Sequence, residues 1–536
     1  MPHPSFEELR RTVDGALAAG DPDAALAVIR PAARAVAAED GARFRALVGL
    51  LPESAWHEDA AMAAAMGASY RAAGSPPGSS AIGYLNAAEA GLAVAGRDAD
   101  PDRVSVWLTH AAALRALGRV DAASAYVQRA RDLDGPGSIL SVPVRVELGA
   151  RSTLEAGLLD LHSGRLDRAS DRLRFANGLA ERLTRAERIE CLGGLAIVDY
   201  LGAELELAER HIAEARGLAA GTTLLGSAYA GPVLAAEMLI AIEKHDVPRA
   251  TRIEGELLES APRGDWEPLG YLASAYLRLI DDRLIEGLDQ LQRARQAFRG
   301  WDEDARFGSD AGELLRASLL VLLDHGDEAW NILRDLDPYP RHPLCPSRVT
   351  AQLRFRHGDL SGAAAALAGC EALGDDHSPR TLMDVRMLRG AIEFERGEFA
   401  LSDVMVDLAL VTMARTGSRA PLRSIPPGTL AALAARALGR PQSADARRIL
   451  ELVAEATDGH DRLIDPLSHR ELLVLAEVEK GSTVAGIAAA LFISPNTVKT
   501  HLRRVYRKLG VTTRADAIRK AKSLGLGRPV TRDSPE

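Results

Sequence analysis

Gly118-Arg-Val-Asp-Ala-Ala-Ser-Ala-Tyr-Val-Gln-Arg-Ala130 is the stretch that decides the fold. From the turn residue Gly118, a small residue follows at +5 (Ala123), an aliphatic one at +9 (Val127) and a small one at +12 (Ala130). In a helix that begins just after the turn, these positions are i, i+4 and i+7 and share one face. Small side chains on that face let a neighbouring helix approach closely. The series returns as Gly20/Ala25/Ile29/Ala32, Gly164/Ala169/Leu173/Ala176 and Gly358/Ala363/Leu367/Cys370. Looser copies begin at Pro76, Ala203, Asp282, Asp324 and Gly397, and degenerate ones at His245 and Gly439. From Gly118 onward the turn residues recur about every forty residues, the length of a helical hairpin.

The rest of the chain agrees. Its 536 residues are 47% hydrophobic and only 4% aromatic, too apolar for a disordered chain. Residues 1–460 are rich in Ala and Leu, apolar at every third or fourth position and without a strand pattern, which predicts an all-α fold. The small-aliphatic-small series resembles the second helix of tetratricopeptide repeats, although the period exceeds that family's thirty-four or so. The resemblance implies a tetratricopeptide-like α-solenoid of about ten hairpins over residues 1–456. Breaks in the stack are expected at Ser75–Ser80, Pro338–Pro346 and Pro421–Gly428, with a long loop as the alternative for the first and last.

Net charge misleads when taken whole. The chain carries 65 Lys and Arg against 74 Asp and Glu, a formal −9 that argues against nucleic acid. Residues 461–536 hold fourteen Lys and Arg against eight acids, a net of +6, while residues 1–460 hold 51 against 66, a net of −15. Of the six lysines only Lys244 lies outside the final segment, and none follows a Gly, which excludes a Walker A loop. The three cysteines, Cys191, Cys345 and Cys370, form neither a disulfide framework nor paired zinc spacing. His342, Cys345, His357 and Cys370 lack a Cys-x-x-Cys or His-Glu-x-x-His core, so no metal and no cofactor is expected. With no signal peptide and no apolar run of membrane length, a cytoplasmic protein without membrane contact is expected.

After a linker at 457–466, residues 467–528 form a second unit, followed by a tail at 529–536. Ser468 and Glu471 make a Ser-x-x-Glu capping box, opening a helix with Leu472, Leu475 and Val478 inward and ending at Gly481. Thr483 caps a short helix over 484–491, and Ser494 with Pro495 opens a third that runs to Leu509. Thr513 with Asp516 caps a fourth, which ends near Leu524. In the third helix Val498, Leu502, Val505 and Leu509 form the buried stripe, and Lys499, Thr500, Arg503, Arg504, Arg507 and Lys508 turn away from it. A cationic helix after a tight helix-helix turn suits phosphate and major-groove contact.

The runs Leu467-Ser-His-Arg-Glu471, Ile487-Ala-x-x-Leu-Phe-Ile-Ser494, Thr497-Val-Lys-Thr-His-Leu502 and Lys508-Leu-Gly-Val511 resemble the LuxR/FixJ-type helix-turn-helix over about sixty residues. The resemblance implies a four-helix DNA-binding domain in which Lys499, Thr500 and Arg503 reach base edges. It likewise implies backbone contacts by Asn496, Thr497, Arg504, Arg507 and Lys508, and dimerisation through Ala517, Ile518 and Ala521. Where that family has a polar, Glu-containing entry to the second helix, this chain reads Thr483-Val-Ala-Gly486. The whole arrangement is similar to the C-terminal part of large ATP-binding LuxR-family regulators, without the ATPase.

No catalytic constellation appears. Lys244-His245-Asp246 reads as a solvated turn rather than an acid-base group, Gly193-Gly194, Gly135-Pro-Gly137 and Gly78-Ser-Ser-Ala81 lack the surroundings of a nucleotide loop or nucleophile elbow, and Tyr271 and Tyr276, near Trp266, read as core packing, with the lining of a ligand groove as the alternative. The expectation is a regulator, not an enzyme. It would bind double-stranded promoter DNA as a homodimer, engage RNA polymerase if it activates, and sense an unknown protein or small-molecule effector on its repeats. The alternative is a repeat scaffold whose DNA module only localises it.

Overall fold

The computed structural model describes residues 6–72, 79–94, 101–132, 141–260, 266–458, 469–491, 495–509, 511 and 513–523. Among these residues every element is helical. Antiparallel hairpins follow one another, from Pro101–Ala116 with Val120–Asp132 to Pro427–Leu438 with Ala444–Asp458. Two further pairs precede them, Phe6–Ala18 with Pro22–Ile29 and Ala60–Ala72 with Ser79–Val94, separated by shorter helices over residues 33–56.

The turn residues found by pattern share one backbone conformation. Gly20, Gly118, Gly164, Ala203, His245, Asp282, Asp324, Gly358 and Gly397 all have positive φ, between 56° and 81°. The residue after each donates its N–H to the carbonyl five residues back, as in Arg119 to Leu114 (2.9 Å), Glu204 to Asp199 (2.8 Å) and Asp359 to Arg354 (3.0 Å). This is a Schellman stop, which closes the orphan carbonyls of the first helix and reverses the chain into the second. Ala169, Leu173 and Ala176, at +5, +9 and +12 from Gly164, are then fully buried, and the same positions are buried in most other repeats. Gly439 departs, with φ −72°. There the register slips by two residues, and Ala446, Leu450 and Val453 take the buried places. Pro76 and Gly135–Gly137 lie outside the described residues.

Close helix crossings explain Gly193 and Gly194. A Cβ on Gly193 would stand 2.7 Å from the Val233 nitrogen, so Arg185–Leu201 meets Gly231–Glu243 nearly backbone to backbone. One on Gly194 would stand 3.0 Å from the Leu173 side chain.

The stack does not stay one-dimensional. From the connection at Trp301 onward, the connections between hairpins rest on turn residues three to four hairpins earlier, such as Asp282 under Arg423 and Arg119 beside Asp302, at sequence separations of 141 and 183 residues. Trp301 covers Gly118, and the Asp302 N–H donates to the Gly118 carbonyl at 2.9 Å. Phe307 and Tyr339 cover Gly164. Ser378 Oγ donates to the Leu201 carbonyl at 3.0 Å, and the Arg419 N–H to that of Glu243 at 2.8 Å. The proline-rich segments 338–346 and 421–428 are therefore joints between successive superhelical turns, not breaks. The Lys244-His245-Asp246 turn is not freely solvated either. Lys244 Nζ pairs with Glu209 at 2.8 Å, and burial, aided by Arg423 and Arg419, pushes half-buried His245 down to about 4.

First helices of the hairpins fill the interior, and many of their charged side chains there are paired. Arg71 binds Glu190 in bidentate fashion, with one contact at 2.9 Å, and Arg115, fully buried, reaches Glu190 at 3.1 Å and Glu155 at 3.0 Å. Glu187 accepts from Arg34 at 2.7 Å and from Arg151 at 3.2 Å.

Candidate nucleic-acid interface and repeat-body cavity

Four helices build the C-terminal unit: His469–Glu479, Val484–Leu491, Pro495–Lys508 and Arg514–Ser523. The first stops at Gly481, whose φ of +85° lets the Ser482 N–H reach the Glu477 carbonyl at 3.2 Å. Arg514 Nη2 adds a bond to the Val478 carbonyl at 2.8 Å, a C-terminal cap that the sequence pattern did not flag. Thr483 Oγ1 accepts from the Gly486 N–H at 3.1 Å, and Thr513 Oγ1 from the Asp516 N–H at 3.2 Å, so both expected caps are made. Glu471 is buried in the first turn of its helix, while its expected partner Ser468, like Ser494, lies outside the described residues.

The long cationic helix is seated by its apolar stripe. Val498, Val505 and Leu509 are buried and Leu502 half-buried, packed among Val474, Leu475, Val478 and Ile487. That seating leaves Lys499 and Arg503, one turn apart, exposed. Asn496, Thr497, Thr500, Arg504, Arg507 and Lys508 belong to the same helix, and their side chains lie outside those described. One expectation needs correction. Ala517 and Ala521 are fully buried in the unit's own core beside Leu475, Val505 and Leu509, so their side chains cannot meet a second subunit. Ile518 is half-buried against the other half of that core.

The repeat body contains a cavity of about 240 Å³ between its first helices. Ile197, Trp266, Tyr276 and Phe307 give it apolar walls, and Arg348, Gln352, Arg380 and Asp384 form a polar end. Tyr276 and Trp266 thus line a space as well as packing the core, while Tyr271 bonds Glu267 at 3.1 Å on its own helix. Burial pushes the Asp384 carboxyl up to about 6 against the pull of Arg348, which stands 3.7 Å away, and of Arg380. Arg380 is bound to Glu243 at 3.1 Å. Among the described residues no helix is long and apolar enough to cross a membrane.

Residues 465–521 match the family described as bacterial regulatory proteins, luxR family. Over 55 residues the chain is 49% identical to the probable transcriptional regulatory protein NarL of Mycobacterium tuberculosis, in strains CDC 1551 / Oshkosh and ATCC 25618 / H37Rv. The match covers 10% of this chain and 26% of each relative, so the chain spans about a quarter of the length of the curated relatives it matches. A solved structure, the APC/C hetero-tetramer Cut9-Hcn1, aligns with 97% of this chain and 96% of its own at 15% identity and a TM-score of 0.38.

Proposed function

We propose that this chain, which carries a LuxR-family helix-turn-helix domain at its C-terminal end, is a DNA-binding transcriptional regulator governed by its helical-repeat body. The observation that carries the reading is the helix Pro495–Lys508, anchored by Val498, Val505 and Leu509 with Lys499 and Arg503 left exposed. In a major groove, Lys499, Thr500 and Arg503 take base edges, while Asn496, Thr497, Arg504, Arg507 and Lys508 hold phosphates. The domain binds double-stranded promoter DNA as a homodimer in the cytoplasm, at the nucleoid, and contacts RNA polymerase if it activates. Because Ala517 and Ala521 are used internally, a contact through the last helix falls to Ile518 and the exposed Ala515 and Arg519.

The repeat body supplies control by binding an effector that changes exposure or dimerisation of the DNA module. Its cavity suits a small, largely apolar molecule with one polar end toward Arg348 and Asp384. The scaffold alternative gains less support, because it leaves the cavity between the first helices without a role. Genome-wide mapping of bound sites in cells tests the regulator reading and yields the operator. On that operator, Lys499→Ala and Arg503→Ala should each lose about 1–3 kcal/mol of discrimination between cognate and mismatched DNA, whereas Lys508→Ala should weaken all sequences alike. Unchanged discrimination in both of the first two variants would remove the base-contact assignment.

A further inference from the structure

The connection before helix Pro346–Arg356 carries His342 and Cys345, helix Leu360–Leu373 carries Cys370, and His377 lies just ahead of helix Pro379–Arg396. Stacking of these hairpins brings all four side chains to one point, with one ligand atom from each within 4.8 Å of the others. Cys345 Sγ stands 3.5 Å from Cys370 Sγ, and Cys370 Sγ 3.6 Å from His342 Nδ1. A tetrahedral zinc ion, with Zn–S of about 2.3 Å and Zn–N of about 2.0–2.1 Å, demands S···S near 3.8 Å and S···N near 3.6 Å. Cys370 and His342 already hold that spacing, and the two sulfurs lie slightly inside it.

The second imidazole is poised to ligate. His377 is fully buried, with Nδ1 placed 3.1 Å from the Ser378 carbonyl. Donation there fixes the proton on Nδ1 and leaves a lone pair on Nε2. That Nε2 is buried and has no hydrogen-bond partner. Arg341 and His342 are consecutive non-glycine residues at φ of 60° and 49°, a sterically disfavoured backbone that delivers His342 to the cluster.

We propose that His342, Cys345, Cys370 and His377 form a structural Zn(II) site. Both thiols bind as thiolates and release two protons to solvent. With two neutral imidazoles the assembled centre carries no net charge, which suits its burial. Zinc is favoured because soft thiolate and imidazole donors in a closed S₂N₂ tetrahedron match it. The ion would pin the 338–346 connection to the hairpins after it. Around it Thr381 Oγ1 donates to the His342 carbonyl at 2.6 Å, and Arg341 reaches Asp167 on the preceding superhelical turn at 3.1 Å. Cys345 and Thr381 also line the cavity, so the centre would brace one of its walls. His357 is not a ligand, because its ring lies against Gly326 and its nitrogens are not among the ligand atoms that gather here.

The test is elemental analysis of the full chain purified under reducing conditions from zinc-replete cells. About one zinc per chain is expected, falling below about a tenth in Cys370→Ser and in His377→Gln, and unchanged in Cys191→Ser, whose sulfur bonds the Leu173 carbonyl instead. Should those variants fail to fold, wild-type protein stripped of metal and titrated with Co(II) chloride should show the intense visible absorption of tetrahedral thiolate–cobalt. The proposal is overturned by metal-free wild-type protein that gives no such band with Co(II), by zinc retained in Cys370→Ser, or by a Cys345–Cys370 disulfide in protein prepared without air.

Discussion

Ala203 sits where Gly20, Gly118, Gly164, Gly358 and Gly397 stand in other repeats, at φ +61°, and its Cβ carries the steric penalty of an L residue in the left-handed region. Ala203→Gly should therefore raise unfolding stability by about 1 kcal/mol, read as a higher denaturation midpoint at unchanged slope. A loss of stability would mean that the Schellman turn is not the strained element. Gly118 is the opposite case. At φ +71° under the Trp301 indole it has no room for a methyl, and Gly118→Ala should destabilise by about 3 kcal/mol or more. The repeat positions were legible because this turn is local: one left-handed residue, one backward hydrogen bond and a helix whose face is set within a dozen residues. The cover over each turn was not legible, since Trp301 and Gly118 are distant in sequence.

At the scale of elements, helix ends explain most of the C-terminal unit. Thr483→Ala removes the oxygen that accepts from the Gly486 N–H and should cost about 1 kcal/mol of domain stability. Gly486→Glu should instead stabilise, by about 1 kcal/mol from helix propensity, because a Cβ there would meet Thr483 Oγ1 at 3.4 Å and Ser482 Cβ at 3.7 Å, both ordinary contacts. Thermal melts of the two variants give opposite signs if the cap geometry is right. Caps, stops and the Val498–Val505–Leu509 stripe could be read from spacing because each depends on residues within one or two turns. The fate of Ala517 and Ala521 could not, since an alanine on a helix face suits an intramolecular core and a subunit contact equally well. Only the packing of Arg514–Ser523 against Leu475, Val505 and Leu509 decides between them.

For the whole molecule, superhelical closure places charge in the interior. Burial opposes the charge of Glu187, but Arg34 and Arg151 outweigh it and hold the carboxyl down at about 2, against 4.5 unfolded. Its folded pKa is depressed, so this contribution is present above pH 4.5 and is lost as pH falls toward 2. Its size is on the order of 3 kcal/mol, and Glu187→Gln should flatten that part of the acid melting profile. Glu190 is the carboxylate shared by Arg71 and Arg115, and Glu190→Ala should cost about 3–5 kcal/mol by leaving buried cations short of a counter-ion. The charge split has its own consequence. If the acidic body of residues 1–460 restrains the basic module, the fragment 461–536 should bind operator DNA more tightly than the full chain at equal ionic strength. Equal affinity would remove autoinhibition.

The sequence by itself determined what short-range physics controls: an all-α chain, hairpins about forty residues long, the turn residues that end their first helices, and a basic four-helix module with Lys499 and Arg503 facing out. Tertiary structure alone decided what accumulates over several repeats. A small rotation at each hairpin, summed over about four, lays one superhelical turn on the last and buries the Arg115 and Arg380 networks. The same winding closes a cavity around Trp266 and Tyr276 and gathers His342, Cys345, Cys370 and His377. Residue spacing along one helix carries no record of that angle, because the angle is set by how side chains of different hairpins interlock.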